Sequence, residues 1–363
     1  MGTVSNQRPF YSVVIPIYNA GKYINNCLMS LVNQHLSKDI MEVIICDDCS
    51  PEPCWEQIEA FKDRLNIKTT QTSYNFAPGN TREKAMELVT GEWVTFLDQD
   101  DAMIENSLGP TRDKIIQAKE KYYVIGNFVE VDQKTGTVIR NYERITGWNH
   151  GKFYNMDNLW RPFNIHFKKD MFSHEDVFIT SNVSCCMRRI RRQPFYTDIL
   201  CYSWVQNVES LTHLKYIKIG NDHGFLEALF DDYLESTGWV YMNRYLEGFI
   251  DKEYAQRAII GCLGYVYAYT EAFMFQNPTG YIKENIDLVR EYYIKIKEVF
   301  QMTNQDVYDF FAKDNCDVYI QSQRSADVGA GAYIYVHTLK EYLDMLHKDI
   351  EPYDPQSKKK YVQ

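Results

Sequence analysis

From residue 10 to about residue 123, short apolar runs alternate with segments of helical periodicity, which confines this part of the chain to helices covering a mostly parallel sheet. The run 93–97, rich in β-branched and aromatic residues, reads as a strand buried on both faces. Residues 11–17 are the first strand, 41–46 the second and 67–71 a short third. Helices are predicted over 20–34, with apolar residues at Ile24, Leu28, Leu31 and Val32, and over about 52–65, 80–89 and 105–119. A hairpin-like pair follows at 122–131 and 137–142. Residues 145–172 break the pattern and read as a loop, ahead of a helix over 174–187 and short strands within 195–214.

Two of these strands run into acids. Ligands of parallel sheets bind beyond the carboxyl ends of the strands, where Asp98, Asp100 and Asp101 follow 93–97 and Asp47 and Asp48 follow 41–46. Like charges this dense repel unless a divalent ion or a hydrogen-bonding ligand offsets them. Carboxylates of this kind suit Mg²⁺ or Mn²⁺, ions that commonly hold phosphate oxygens as well. The alternative is a solvated turn with an Asp capping the next helix.

The chain has 363 residues, enough for one large α/β domain and a smaller one. Nine cysteines at irregular spacing fit a reducing cytosol better than a disulfide framework. Cys46 and Cys49 look like half a zinc site, yet no second pair completes it. Residues 1–9 are short and polar and lack the apolar core of a signal peptide. Residues 258–275 carry Glu271 and several tyrosines and read as a buried helix, so no integral membrane span is expected. The expected location is cytoplasmic, peripheral to the inner membrane face. A net charge of −10 argues against a surface that attracts nucleic acid everywhere, while a local basic patch can still bind a polyanion. After residue 220 helical spacing dominates, at Phe225, Leu226, Leu229, Phe230 and Tyr233 and again at Leu288, Tyr292, Ile296, Val299 and Phe300. The expected division is therefore an N-terminal extension 1–9, an α/β domain 10–220, a helical domain 221–350 and a flexible tail 351–363, with the helical domain available for a homo-oligomer contact.

Ordered along the chain, Pro16-Ile17-Tyr18-Asn19, Asp47-Asp48-Cys49-Ser50, Gly91-Glu92-Trp93 leading to Asp98-Gln99-Asp100-Asp101, and Glu175-Asp176 resemble the motifs of glycosyltransferase family 2. The resemblance covers about residues 10–215 and implies the GT-A fold, a Rossmann-like sheet flanked by helices, with the helical domain behind it. It also implies inverting transfer of a sugar from a nucleotide diphosphate sugar to an acceptor hydroxyl. Pro16 and Tyr18 would line the base pocket, and Asp48 would accept a hydrogen bond from the base imide, which selects a UDP-sugar. Asp98, with Gln99 beside it, would hold the ribose. Asp100 would hold the Mn²⁺ or Mg²⁺ that stabilises the departing diphosphate, with His213 completing the metal shell. Asp176 would be the general base and Glu175 its neighbour toward the acceptor. Arg82 corresponds to the arginine of the family's donor-site Ala-Arg-Asn stretch, from which this chain departs with Glu83 in place of Asn.

Arg188, Arg189, Arg191 and Arg192 follow the Glu-Asp helix, either as a solvated face or as a site for an anionic acceptor. Trp148 and Trp160 can stack on sugars or bases, or form the loop's own core. A glycan or anionic surface polymer is the expected acceptor. A modified base of DNA, as in viral transferases, and a non-catalytic carbohydrate- or nucleic-acid-binding relative are the alternatives. A nucleotidyltransferase would need a Gly-rich loop after the first strand, where this chain has Tyr18-Asn19-Ala20-Gly21-Lys22.

Overall fold

The computed structural model describes residues 8–75, 77–169, 171, 173–207, 232, 234–276, 282–313, 343, 344 and 346. It divides into two compact units, Met1–Leu214 and Lys215–Gln363.

Unit 1 is built on a nine-stranded mixed sheet. β1 (Tyr11–Ile17) lies between β2 (Met41–Asp47) and β4 (Trp93–Phe96), all parallel, with β3 (Asn66–Gln71) parallel outside β2. All seven residues of β1 and of β2 are buried, which is why both read as unbroken apolar runs. Helices α1 (Ile24–Val32), α2 (Trp55–Glu59), α3 (Pro78–Met86) and α4 (Leu108–Ala118) connect the strands. Two predicted helices are shorter than expected. The chain enters α1 through a 3₁₀ turn at Ala20–Lys22, and α2 ends at Glu59 although Phe61 and Leu65 continue the apolar spacing in buried turns.

The amino ends of the parallel strands are tied together by one carboxylate. Glu42 of β2 is fully buried and accepts hydrogen bonds from Ser12, from the backbone N–H groups of Thr90 and Gly91 and from the Thr90 hydroxyl, and it pairs with Lys68 of β3 at 2.7 Å. Burial would raise its pKa, but Lys68, Ser12 and Thr90 outweigh burial and hold it below the usual carboxylate range. Gly91 is required here, because a Cβ would lie 2.6 Å from the Ser12 hydroxyl.

Beyond β4 the sheet becomes mixed. β5 (Ala102–Met103) is a short edge strand antiparallel to β9 (Phe195–Gln206), and β9 runs parallel to β6 (Tyr123–Asp132). β7 (Val138–Tyr142) forms the predicted hairpin with β6. The principal correction concerns residues 145–172. They hold β8 (Lys152–Asn155), a fully buried strand antiparallel to both β4 and β6, followed by a π-helical turn at Met156–Trp160. The expected short strands within 195–214 are one strand of 12 residues among those described. Helix α5 (Glu175–Arg189) starts one residue later than predicted, after His174 in the left-handed region.

Unit 2 is helical in its described part: α6 (Val240–Leu246), α7 (Lys252–Gln276), α8 (Ile282–Phe300) and α9 (Asn304–Lys313). Ile259, Ile260 and Leu263 of α7 are buried, as are Tyr292, Ile296 and Phe300 of α8 at the spacing read from the sequence. The predicted apolar positions Phe225 to Tyr233 lie outside the described residues. No described helix is long and apolar enough to cross a membrane.

Candidate active site

The carboxyl ends of β1, β2 and β4 bring the first half of the site together. Pro16 is buried within β1 opposite Cys46. Tyr18, just beyond the strand, is half exposed, and its backbone is held at both polar atoms by one side chain. Its N–H donates to Gln99 Oε1 at 2.7 Å, and its carbonyl accepts from Gln99 Nε2 at 3.1 Å. Gln99 therefore joins the β1 and β4 loops. Asp47 folds the turn after β2, accepting from the Ser50 N–H and hydroxyl and from Gln71. Asp48 turns the other way. Its Oδ1 accepts from the Thr72 hydroxyl at 2.9 Å and its Oδ2 from the Ala77 N–H at 3.0 Å, which anchors the loop between β3 and α3. Ala77 sits at φ 111°, a conformation costly for any residue with a Cβ, and the Asp48 contact helps hold it there.

Arg82 of α3 connects this half to the second. Its guanidinium reaches Asp98 Oδ1 at 2.5 Å and Glu175 Oε1 at 2.6 Å, so one buried side chain bridges the end of β4 and the first turn of α5. Burial would lower the Arg82 pKa, but the two carboxylates outweigh it and raise it, so the guanidinium stays charged. The helices approach closely because position 79 is glycine: a Cβ there would lie 3.1 Å from Glu175 Cβ.

The acids after β4 are crowded in the way the sequence suggested. Burial and the charge of Asp98 raise the pKa of Asp100, which accepts from Asn207 at 3.1 Å. Burial, Asp100 and Asp98 push Asp101 well above the usual range. The carboxylate of Asp101 accepts from the Tyr202 hydroxyl and from the Val205 N–H at 2.7 Å, tying the loop after β4 to β9. Asp98, Asp101 and His150 each offer one ligand atom within 4.8 Å of the others. Burial lowers the His150 pKa to about 4, leaving a neutral imidazole, and its Nδ1 has no hydrogen-bond partner among the described residues. Carboxylates beside a neutral imidazole fit a hard divalent cation, and the group brought together among the described residues is Asp98, Asp101 and His150, without the predicted ligand Asp100. His213, the predicted histidine ligand, lies outside the described residues.

Asp176 stands in the first turn of α5, where the helix dipole favours a carboxylate, and its Oδ1 accepts from the Val177 N–H at 2.7 Å. Lys152 of β8 lies within electrostatic reach of it; burial pulls the amine down to about 7 against the upward pull of Asp176 and Cys201. Sequence reading missed Lys152 and His150. The only signal was a lysine directly before Phe153 and Tyr154 in a segment without periodicity.

The acceptor expectations fare differently. Trp160 is 4 % exposed and packs against Phe96, Tyr154 and Phe167, so its ring belongs to the core and offers no stacking surface. Trp148 is partly buried in a ring cluster with Phe128, Tyr142, His150 and Trp204. Arg188 and Arg191 are exposed at the far end of α5. Closeness to Asp176 in sequence is not closeness in space, because a rise of twelve helical steps puts Arg188 about 18 Å from Asp176.

A buried parallel sheet whose carboxyl ends carry acids, joined through an arginine to an acidic helix start, is the frame of a glycosyltransferase. The chain belongs to that class, and specifically to glycosyl transferase family 2, whose family model matches residues 12–195, half of its length. It is 37% identical over 99 residues to the poly(ribitol-phosphate) beta-N-acetylglucosaminyltransferase TarS of Staphylococcus aureus, covering 27% of this chain and 17% of TarS. It is 30% identical over 137 residues to the glycosyltransferase GlyG of Streptococcus pneumoniae, covering 38% of this chain and 44% of GlyG. These matches span less than half of either relative. Among solved structures, S. aureus TarS 1–349 in complex with UDP-GlcNAc superposes with a TM-score of 0.59 at 18% identity, covering 90% of this chain and 94% of that one. At that identity the likeness establishes the fold, the GT-A arrangement with a helical C-terminal region.

Proposed function

We propose that the protein is a metal-dependent inverting transferase that moves a sugar from a UDP-sugar to a hydroxyl of a surface-polymer acceptor. The observation that carries this reading is the Asp98–Arg82–Glu175 bridge, which fixes the acidic end of β4 against the helix start that bears Asp176. On this reading Tyr18 and Asp48, which follow the neighbouring strands, serve the nucleotide base, and Asp98 its ribose. UDP as the nucleotide is supported by the TarS structures in complex with UDP-GlcNAc and with UDP, and a polyol phosphate acceptor by the name of that relative. In the reaction the acceptor oxygen attacks the anomeric carbon from the face opposite UDP. Asp176 takes the hydroxyl proton as the new C–O bond forms, and the bond to the diphosphate breaks with its electron pair leaving on UDP. A divalent cation at the Asp98–Asp101–His150 cluster would supply charge compensation for the diphosphate. A DNA acceptor has less support, since Trp160 is in the core and offers no face on which a base could stack.

The test is UDP release from a panel of UDP-sugars with Mn²⁺ or Mg²⁺, with and without poly(ribitol phosphate). Asp176→Asn is expected to abolish transfer while donor affinity stays within about threefold, because the base acts in the transition state and not in donor binding. Absence of release from every donor with either metal would overturn the reading.

A further inference from the structure

Glu83 is the position at which this chain departs from the Ala-Arg-Asn stretch it resembles, and the structure gives the change a use. It follows Arg82 on α3, and successive helical residues project about 100° apart, so its side chain leaves the helix in a different direction from the guanidinium. Its Oε2 accepts the backbone N–H of Phe167 at 2.8 Å. Phe167 is buried and belongs to the segment that joins the π-helical turn to α5. A buried backbone donor needs an acceptor, and a carboxylate is a strong one. Asparagine is one methylene shorter and would not reach this N–H unless the helix or the segment moved.

The ring of Phe167 stands beside the ionic bridge. It packs edge-to-face on Phe96, the last residue of β4, with centroids 5.2 Å apart, and against Trp160 at 6.0 Å. The guanidinium carbon of Arg82 lies 6.0 Å from its centroid. The two Nη atoms of Arg82 are held by Asp98 and Glu175, whereas its Nε is buried with no hydrogen-bond partner among the described residues. On that side packing, not polar contact, fixes where the guanidinium sits. The same segment is tied to α3 and its C-terminal end elsewhere too: Arg161 donates to the Val89 carbonyl at 3.3 Å, and the Lys168 carbonyl lies 3.8 Å from where a Cβ on Gly79 would be.

We infer that Glu83 is a positioning residue for the transfer: by holding the Phe167 N–H it seats the ring beside Arg82, and through Arg82 it aligns the end of β4 with the start of α5. The inference rests on the functional reading above, in which that alignment sets Asp176 against the donor.

Steady-state kinetics on the full chain test it. Glu83→Met removes the acceptor at similar size and should lower kcat by about tenfold, with KM for the UDP-sugar within about twofold of wild type. Glu83→Asn should be as slow, and Glu83→Gln, which keeps an oxygen at the same reach, should restore most of the rate. Phe167→Leu keeps the backbone bond but removes the ring, and should show the same loss of kcat, so the inference stays testable if Glu83→Met does not fold. A merely structural link would lower the melting temperature of these variants and leave kcat of the folded enzyme unchanged. Wild-type kcat in Glu83→Met or Phe167→Leu, or a Glu83→Gln enzyme as slow as Glu83→Met, overturns the inference. If the wild type transfers no sugar, the functional reading falls separately, and a double-mutant cycle of Glu83→Met with Arg82→Met in urea unfolding decides the link. Non-additivity supports coupling through Phe167, and additivity overturns it.

Discussion

At the scale of single residues, two buried ionic groups hold opposite ends of the sheet and predict different behaviour. Arg82 has two carboxylate partners, and its removal leaves both without the charge that compensates them. Arg82→Ala should cost about 3 kcal/mol in urea unfolding, and Arg82→Lys should recover only part of it, because an ammonium cannot fork between two carboxylates. Glu42 titrates below the usual carboxylate range in the fold, so its stabilisation is present above its unfolded value of about 4.3 and is lost as pH falls through the lower folded value. Glu42→Gln should therefore be less stable than wild type at pH 7, and the difference should shrink toward pH 3, as read by urea melts at the two pH values. Asp48 and Asp98 could be picked out in the sequence because each follows a buried strand, and Asp176 through the Glu-Asp motif of the family it resembles. Lys152 and His150 could not, since the segment that carries them is brought beside β4 and its acids by strand pairing and not by local pattern.

At the scale of elements, the parallel half of unit 1 was legible because its strands are buried on both faces and read as continuous apolar runs. β8 was not. It has only four residues, includes a lysine and an asparagine, and lies in a segment rich in turns and aromatic residues, so its pairing is dictated by the edges of β4 and β6 and not by local pattern. The meeting of α3 and α5 was likewise hidden, although its requirement is simple: no side chain at residue 79. Gly79→Ala would force the Glu175 side chain and the start of α5 to give by a few tenths of an ångström. The expected result is a transfer rate lower by about tenfold with UDP affinity preserved, because small displacements of reacting groups cost rate before they cost binding. Gly126 gives a control away from the proposed chemistry. A Cβ there would come within 2.5 Å of Cys201 Sγ, so Gly126→Ala should lower stability by about 2 kcal/mol, and adding Cys201→Ala should restore part of it in thermal unfolding.

At the scale of the whole molecule, the proposed function requires a chain with net charge −10 to meet a polyanionic acceptor through local basic surface. The exposed arginines at the far end of α5 stand about 18 Å from Asp176, a distance that only an extended acceptor spans. Arg188→Glu with Arg191→Glu should therefore leave transfer to a short acceptor unchanged and weaken capture of a long poly(ribitol phosphate), most strongly at low salt, as measured by KM against chain length. The strap at Glu42 has a consequence of a different kind. It fastens four strands at the end of the sheet opposite the loops that face the proposed donor. Those loops can be exchanged for others of different length or composition without disturbing the knot that holds the strands in register. An enzyme engineer seeking a new sugar specificity should leave Ser12, Glu42, Lys68 and Thr90 alone and randomise the opposite rim.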